Sequence, residues 1–247
     1  MKRIDELLLE KGFAESRAKA KALLEEGVVF CGGILADKPS RKFDENVFIE
    51  IVSDAKTLKF VSRAGLKLDH FLTSFNIDVA GLDALDAGAS TGGFTDCLLQ
   101  RNINSVLCVD IGHSQLHSKI LANPKVTNLE KTDIRNLQIQ EKEKKEKEFI
   151  CADLSFISLE KVLEKLWSVL SKNGILVCLV KPQFEVSMQV AKKNKGILKD
   201  SLLQQECLEK IETFLRTLPN AQFIGSCDSP ILGGSGNKEF LIGFKKL

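Results

Sequence analysis

Apolar and polar positions follow two different periods along this chain. Ile4, Leu7 and Leu8 share one helical face while Asp5, Glu6 and Glu10 lie off it, and Gly12 stops the helix. Ser16 suits the N-cap of a second helix, Arg17 to Glu26, with Gly27 at its end and Ala20, Leu23 and Leu24 facing inward. A short strand Val28–Cys31, a Gly32-Gly33 turn and a strand Val47–Ile51 complete a small unit. The polar stretch Ser53 to Lys59 predicts a linker, after which Leu68, Phe71, Leu72 and Phe75 mark a further helix, with Lys67 flanking the stripe. From Ala84 the pattern alternates. Strands are predicted near 84–86, 105–110, 125–129, 148–152 and 174–181, and helices near 92–101, 114–122 and 159–171. A lysine-rich connection, Pro182 to Leu198, reads as a loop; a helix over 199–217 and two strands, Ala221–Cys227 and Glu239–Phe244, follow. This alternation predicts an α/β fold with a seven-stranded, mostly parallel sheet preceded by a small α+β unit.

Composition changes this picture little. A length of 247 residues with 44% apolar residues accommodates one medium and one small domain with a buried core. The net charge of +2 neither requires nor excludes a nucleic-acid partner. The seven cysteines contain no CxxC pair and sit mostly in apolar runs, so they read as core residues of a reducing compartment. Met1-Lys2-Arg3 leads into a charged helix without a signal-peptide pattern, and the longest apolar run, Ile175 to Val180, is too short for a bilayer. A cytoplasmic protein with no membrane partner and no obligate protein partner is expected. The mixed run Glu141–Glu148 reads as a solvated turn or helix extension, Trp167 as core, and His113 and His117 as surface residues, so no metal is expected.

The stretch Leu85-Asp86-Ala87-Gly88-Ala89-Ser90-Thr91-Gly92-Gly93-Phe94-Thr95 carries the chemistry. It reads as a strand, a glycine turn and a helix N-terminus, which brings backbone N–H groups close to a nucleotide-like ligand. A carboxylate at Asp86 would repel a pyrophosphate and suit a cationic ligand, which favours S-adenosylmethionine over a nicotinamide dinucleotide. Asp110 ends the next strand, where a carboxylate accepts from ribose hydroxyls. Asp133, with Ile134 beside it, follows the third strand and Asp153 the fourth; resemblance to the class I methyltransferase plan implies an adenine near the first and the reacting centre beside the second. The predicted cofactor residues are therefore Asp86, Gly88, Ser90, Thr91, Gly92, Gly93, Phe94, Asp110, Asp133 and Ile134.

Two resemblances sharpen the reading. Arg3-Ile4-Asp5, Ser16-Arg17-Ala18, Glu26-Gly27-Val28-Val29 and Lys38-Pro39-Ser40 resemble the RNA-binding domain named after ribosomal protein S-four. That resemblance implies RNA-backbone contacts from Arg3, Arg17, Lys19, Lys21, Lys38 and Arg41, since cations on a rigid face bind phosphate by releasing counterions. Ser62-Arg63-Ala64-Gly65-Leu66-Lys67-Leu68, the glycine stretch, Ala152-Asp153-Leu154-Ser155-Phe156-Ile157-Ser158, Leu179-Val180-Lys181-Pro182-Gln183-Phe184-Glu185 and Ser235-Gly236-Asn237-Lys238-Glu239-Phe240 together resemble the haemolysin-A-like (TlyA) family. Where that family often has Arg-Gly-Ala ahead of the lysine, this chain has Arg63-Ala64-Gly65. The family is similar to FtsJ-type ribose 2′-O-methyltransferases, and the resemblance implies the tetrad Lys67, Asp153, Lys181 and Glu239. It further implies a cytidine 2′-hydroxyl of ribosomal RNA as acceptor, 23S and the large subunit favoured, and a link to capreomycin susceptibility. The termini resemble the family's shorter form. The implied domains are 1–52 for RNA binding, 53–61 as linker and 62–247 for an S-adenosylmethionine-dependent, class I methyltransferase.

The residue types suit that reaction. A ribose hydroxyl attacks only once its proton is removed or shared, and a lysine serves as base where a second cation and burial favour its neutral form. Lys181 is the predicted base and Lys67 its neighbour, with Asp153 and Glu239 positioning the two amines and Phe184 lining the site. Three rivals remain: a pore-forming haemolysin, a ribosome-assembly factor without turnover, and a nicotinamide oxidoreductase.

Overall fold

The computed structural model describes residues 1–25, 28–36, 38–51, 59–137, 146–194, 196–233 and 236–247. Most of the expected linker and of the charged run at 141–148 lies outside them, as do Glu26, Gly27, Gly234 and Ser235. The chain forms two compact units, Met1–Ala64 and Gly65–Leu247.

The first unit comprises β1 (Lys2–Arg3), α1 (Ile4–Glu10), α2 (Arg17–Glu25), β2 (Val29–Cys31), β3 (Ile34–Leu35), β4 (Lys42–Phe43) and β5 (Ile49–Ile51). Ser16 Oγ accepts from Lys19 N at 3.2 Å, as an N-cap should. The predicted inward residues of both helices, Ile4, Leu7, Leu8, Ala20, Leu23 and Leu24, are all buried, with Val29 and Cys31 beneath them. Five short strands replace the two expected. Gly32 and Gly33, both at positive φ, return β2 onto β3, and two-residue pairings such as β1 with β4 are too short to show a period of two.

Helix α3 (Ala64–Ser74) begins at the last residue of the first unit and runs into the second, which continues through β6 (Asp83–Ala87), α4 (Gly93–Gln100), β7 (Ser105–Val109), α5 (Ser118–Leu121), β8 (Val126–Leu129), β9 (Lys147–Ala152) and α6 (Glu160–Ser168). It ends with β10 (Leu170–Val180), α7 (Pro182–Glu185), α8 (Met188–Lys193), α9 (Ser201–Thr217), β11 (Ala221–Asp228) and β12 (Phe240–Lys246). Seven strands form one sheet in the order β11-β12-β10-β9-β6-β7-β8, with β12 antiparallel to both neighbours and the last five strands of that order parallel. This is the seven-stranded, mostly parallel sheet expected from the alternation. Leu85, Ile150, Val162, Leu166 and Phe244 fill one side of the sheet together with Trp167, whose Nε1 donates to Pro219 O at 3.0 Å. Six of the seven cysteines are buried.

Two expectations need correction. The helix predicted near 114–122 contracts to Ser118–Leu121, capped by His117 Nδ1 accepting from Lys119 N. The connection expected to be a loop contains α7 and α8; none of the α8 residues is buried, so no apolar stripe announced it. Among the described residues no helix is long and apolar enough to cross a membrane.

The register fixes where chemistry can assemble. Ala87 and Cys178 both pair with Ala152, and Val180 pairs with Phe240. Gly88, Asp153, Lys181 and Glu239, each one residue beyond these pairs, therefore leave the sheet along one edge. Ligands bind α/β sheets beyond the carboxyl ends of the parallel strands.

Candidate active site

The glycine turn is held from both sides. Gly88 sits at φ +82°, its N donates to Val109 O at 2.8 Å, and a Cβ there would lie 2.5 Å from Asp153 O. Gly92 sits at φ +93°, where a Cβ would meet Leu116 Cδ1 at 2.9 Å. Asp110 is anchored by two backbone donors, Ser90 N to Oδ2 at 2.8 Å and Gly112 N to Oδ1 at 2.6 Å. Each oxygen keeps a free lone-pair direction for a hydroxyl.

A cavity of about 610 Å³ opens over this turn, within the range of small-molecule sites. It brings together Gly88, Ser90, Asp110, Asp133, Ile134 and Asp153 of the predicted residues, and adds Ile111, Gln115, Arg135, Ser155 and Phe156. The Asp133 carboxylate accepts from Arg135 N at 2.9 Å and from its Nε and Nη2. These hydrogen bonds hold Asp133 below the usual carboxylate range, so it stays ionised at the cavity wall.

Asp86, Thr91, Gly92, Gly93 and Phe94 do not line the cavity. Gly92, Gly93 and Phe94 are buried at the start of α4 and shape the turn from behind. Asp86 departs furthest from expectation. It is fully buried, Thr95 Oγ1 donates to its Oδ2 at 2.7 Å, and its Oδ1 has no partner among the described residues. Ladder partners Cys108 and Cys151 flank it on the two neighbouring strands. Burial pushes its pKa up to about 7; the Thr95 hydrogen bond opposes this and the Asp153 charge adds to it.

A folded-state pKa raised from near 4 to about 7 stabilises the fold at low pH, and that contribution disappears as pH rises through 7. Wild-type protein is expected to lose about 3 kcal/mol between pH 5 and 8 that Asp86→Asn does not lose, at ~1.4 kcal/mol per unit. Urea unfolding at both pH values reads this; parallel changes in the two proteins would refute it.

At the sheet edge the four tetrad positions form two ion pairs. Lys67, from α3, is 8% exposed and donates from Nζ to Glu239 Oε2 at 2.7 Å, with Glu239 3% exposed. Lys181, just past β10, places Nζ 2.6 Å from Asp153 Oδ1 and donates to Ser155 Oγ at 2.8 Å. The contact with Asp153 is an ion pair without hydrogen-bond direction, so the hydroxyl of Ser155 aims the amine. Ser155 belongs to the motif that carries Asp153, and its place two residues after that carboxylate is the sequence signal for its position. Phe184 lies 5.9 Å from Lys181 Nζ, and its ring centroid is 5.2 Å from that of Phe156. Phe156 is 92% exposed at φ +65°, an unusual conformation for a bulky residue. Asp153 and Ser155 belong to both the cavity and the Lys181 cluster, so the two sites are contiguous.

In the first unit the six predicted RNA-contacting residues differ in their surroundings. Arg3 makes a bidentate pair with Asp5 at 2.9 Å, and Arg17 lies 3.9 Å from Glu6 with its side chain 75% exposed. Arg41 stacks over Phe43, while Lys21 and Lys38 are exposed. Lys19 is half-buried and donates to Phe60 O, so it faces the protein more than the other five do. His113 pairs with Glu130 at 2.7 Å.

Comparison with known proteins agrees with this geometry. The model of the FtsJ-like methyltransferases matches residues 60–246, and that of the S4 domain residues 2–49. The "16S/23S rRNA (cytidine-2'-O)-methyltransferase TlyA" of Mycobacterium tuberculosis is 37% identical over 97% of this chain and 88% of its own length. "Hemolysin A" of Brachyspira hyodysenteriae is 34% identical over 98% of this chain and 99% of its own. A solved structure from Streptococcus thermophilus, 35% identical, aligns with a TM-score of 0.76 over 99% of this chain and 88% of that one. With an S4 domain ahead of a cavity and two lysine–carboxylate pairs on one sheet edge, the chain belongs to the FtsJ-like methyltransferase family, among the relatives named TlyA and hemolysin A.

Proposed function

We propose that this enzyme transfers a methyl group from S-adenosylmethionine to a cytidine ribose 2′-hydroxyl of ribosomal RNA, with 23S RNA in the large subunit as the first candidate. The observation that carries this reading is the contiguity of cavity and lysines at Asp153 and Ser155. The name of the Mycobacterium tuberculosis relative supports the choice of RNA and of position on the ribose.

The cavity suits S-adenosylmethionine by its donor set: Asp110 for ribose hydroxyls, ionised Asp133 for an adenine amino group, and Ile134 and Ile111 for the ring. When bound, that cofactor supplies an electrophilic methyl group on a cationic sulfur. The protein contributes position and proton handling. Lys67, held by Glu239, orients the acceptor hydroxyl, and Lys181 in its neutral form takes the hydroxyl proton onto Nζ. Asp153 and Ser155 hold Nζ in place and stabilise the ammonium that forms. Phe156 and Phe184 offer faces on which the acceptor base can stack. Domain limits of 1–52 and 62–247, with RNA held by the basic residues of the first unit, complete the proposal.

The test incubates the protein with methyl-labelled S-adenosylmethionine and separated ribosomal subunits, then maps the label. Label on a cytidine 2′-oxygen of 23S RNA is expected. Label only in 16S RNA would correct the choice of subunit; label in protein or small molecules would sink the proposal.

A further inference from the structure

The stretch Ser187–Lys199 holds four lysines, Lys192, Lys193, Lys195 and Lys199, and no acidic residue, in a chain with 33 acidic residues. Its helix α8 buries nothing: Lys192 and Lys193 are exposed in its last turn, Met188 is 76% exposed at its start, and Lys199 is exposed beyond it. Lys192, Lys193 and Lys199 have no ion-pair partner among the described residues, whereas Lys67, Lys181, Lys210 and Lys238 each have one. Asp200, the nearest acid in sequence, spends Oδ1 capping α9 through Leu202 N and Leu203 N.

This basic segment is tied at both ends to the chemistry. At its start Glu185, 7% exposed, accepts from Ser158 Oγ at 2.6 Å and Leu159 N at 2.9 Å, fastening α7 to the segment that carries Asp153, Ser155 and Phe156. At its end Asn237, 3% exposed, donates to Gly196 O at 2.9 Å and accepts from Leu198 N at 2.8 Å, two residues before Glu239. Gln204 adds a bond to Leu198 O at 2.6 Å. Within the strap α8 has no buried face, and Leu198, 3% exposed, packs at its end; the strap's hydrogen-bonded anchors are the segments that present Asp153 and Glu239.

We propose that this strap is a phosphate-gripping arm of the catalytic unit, binding the backbone of the RNA strand that carries the acceptor nucleotide. Unpaired lysines on a strap registered to the tetrad neutralise phosphates and set the acceptor ribose against Lys67 and Lys181. The proposal rests on RNA being the substrate, as argued above. An acidic ribosomal protein is the competing occupant, and the test separates the two.

The triple variant Lys192→Gln, Lys193→Gln, Lys199→Gln and its all-Arg counterpart are compared with wild type in full-length protein. Direct binding of protein-free ribosomal RNA is measured at several salt concentrations, alongside methyl transfer to subunits and S-adenosylmethionine affinity. For the Gln variant, RNA affinity is expected to fall about tenfold or more, and the slope of log K against log salt to flatten by about 2. KM for RNA should rise with S-adenosylmethionine affinity intact, and the Arg variant should retain wild-type binding because it keeps the charge. Unchanged RNA affinity and slope would overturn the assignment, as would a defect seen with intact subunits and absent with protein-free RNA, which would point to a ribosomal protein. Because binding is read without turnover, a failure of the proposed reaction shows as no methyl transfer by wild type while the strap remains testable.

Discussion

Lys181→Met is expected to lower kcat for methyl transfer by about 10³-fold or more, in the upper range for loss of a positioned proton acceptor. Lys181 Nζ is the amine that touches both Asp153 and Ser155, and those two residues are where the cavity meets the tetrad. Methionine keeps the length and apolar stem but accepts no proton. S-adenosylmethionine affinity should change little, because the predicted cofactor contacts run through Asp110, Asp133 and the glycine turn. Single-turnover transfer with calorimetric cofactor binding separates the two effects. Substantial turnover by the variant would remove Lys181 from the chemistry, and lytic activity that survived it would point to a separate membrane function.

Gly88→Ala should act on the other half of the site. The residue sits at φ +82°, and a Cβ there would lie 2.5 Å from Asp153 O and 3.0 Å from Leu154 Cδ2. A backbone carbonyl cannot swing aside as a flexible side chain can, so the turn and the Asp153 segment must separate. The left-handed conformation alone costs about 1 kcal/mol with a Cβ present, and the clash adds to it. A loss of stability of about 2 kcal/mol or more is expected, with S-adenosylmethionine affinity down roughly tenfold or more and transfer reduced because Asp153 moves with the turn. Thermal unfolding and calorimetry measure both; a variant with wild-type affinity would show that the close approach of residues 88 and 153 is dispensable.

The local grammar of the chain was legible without coordinates. Alternating strands and helices, the glycine break after Asp86, and carboxylates at 110, 133 and 153 all arise within short windows, because period, turn chemistry and strand ends are local properties. The tetrad came from longer motifs whose resemblance named the residues. What sequence spacing could not reach was partnership. Lys67 and Glu239 are 172 residues apart, and their 2.7 Å bond depends on β12 inserting antiparallel beside β10 while α3 packs nearby. Ser155 became the acceptor for Lys181 only once the ends of β9 and β10 were aligned.

Asp86 marks the limit most clearly. As a strand-end carboxylate beside a glycine turn it reads as a ligand contact; the sheet places it between Cys108 and Cys151 under Thr95, where desolvation raises its pKa to about 7. The lysine strap is the converse case, legible as composition and unreadable as structure, since α8 buries nothing and the groups that hold the strap, Asn237 at one end and Ser158 and Leu159 through Glu185 at the other, are distant in sequence. The sequence by itself determined the alternation of strands and helices in the second unit and the glycine turn, and it proposed the reactive side chains through the resemblance. Tertiary structure alone decided which charges pair, which carboxylate is withdrawn from solvent and which basic segment is held beside the site, because each depends on contacts between segments that only non-local strand register and burial bring together.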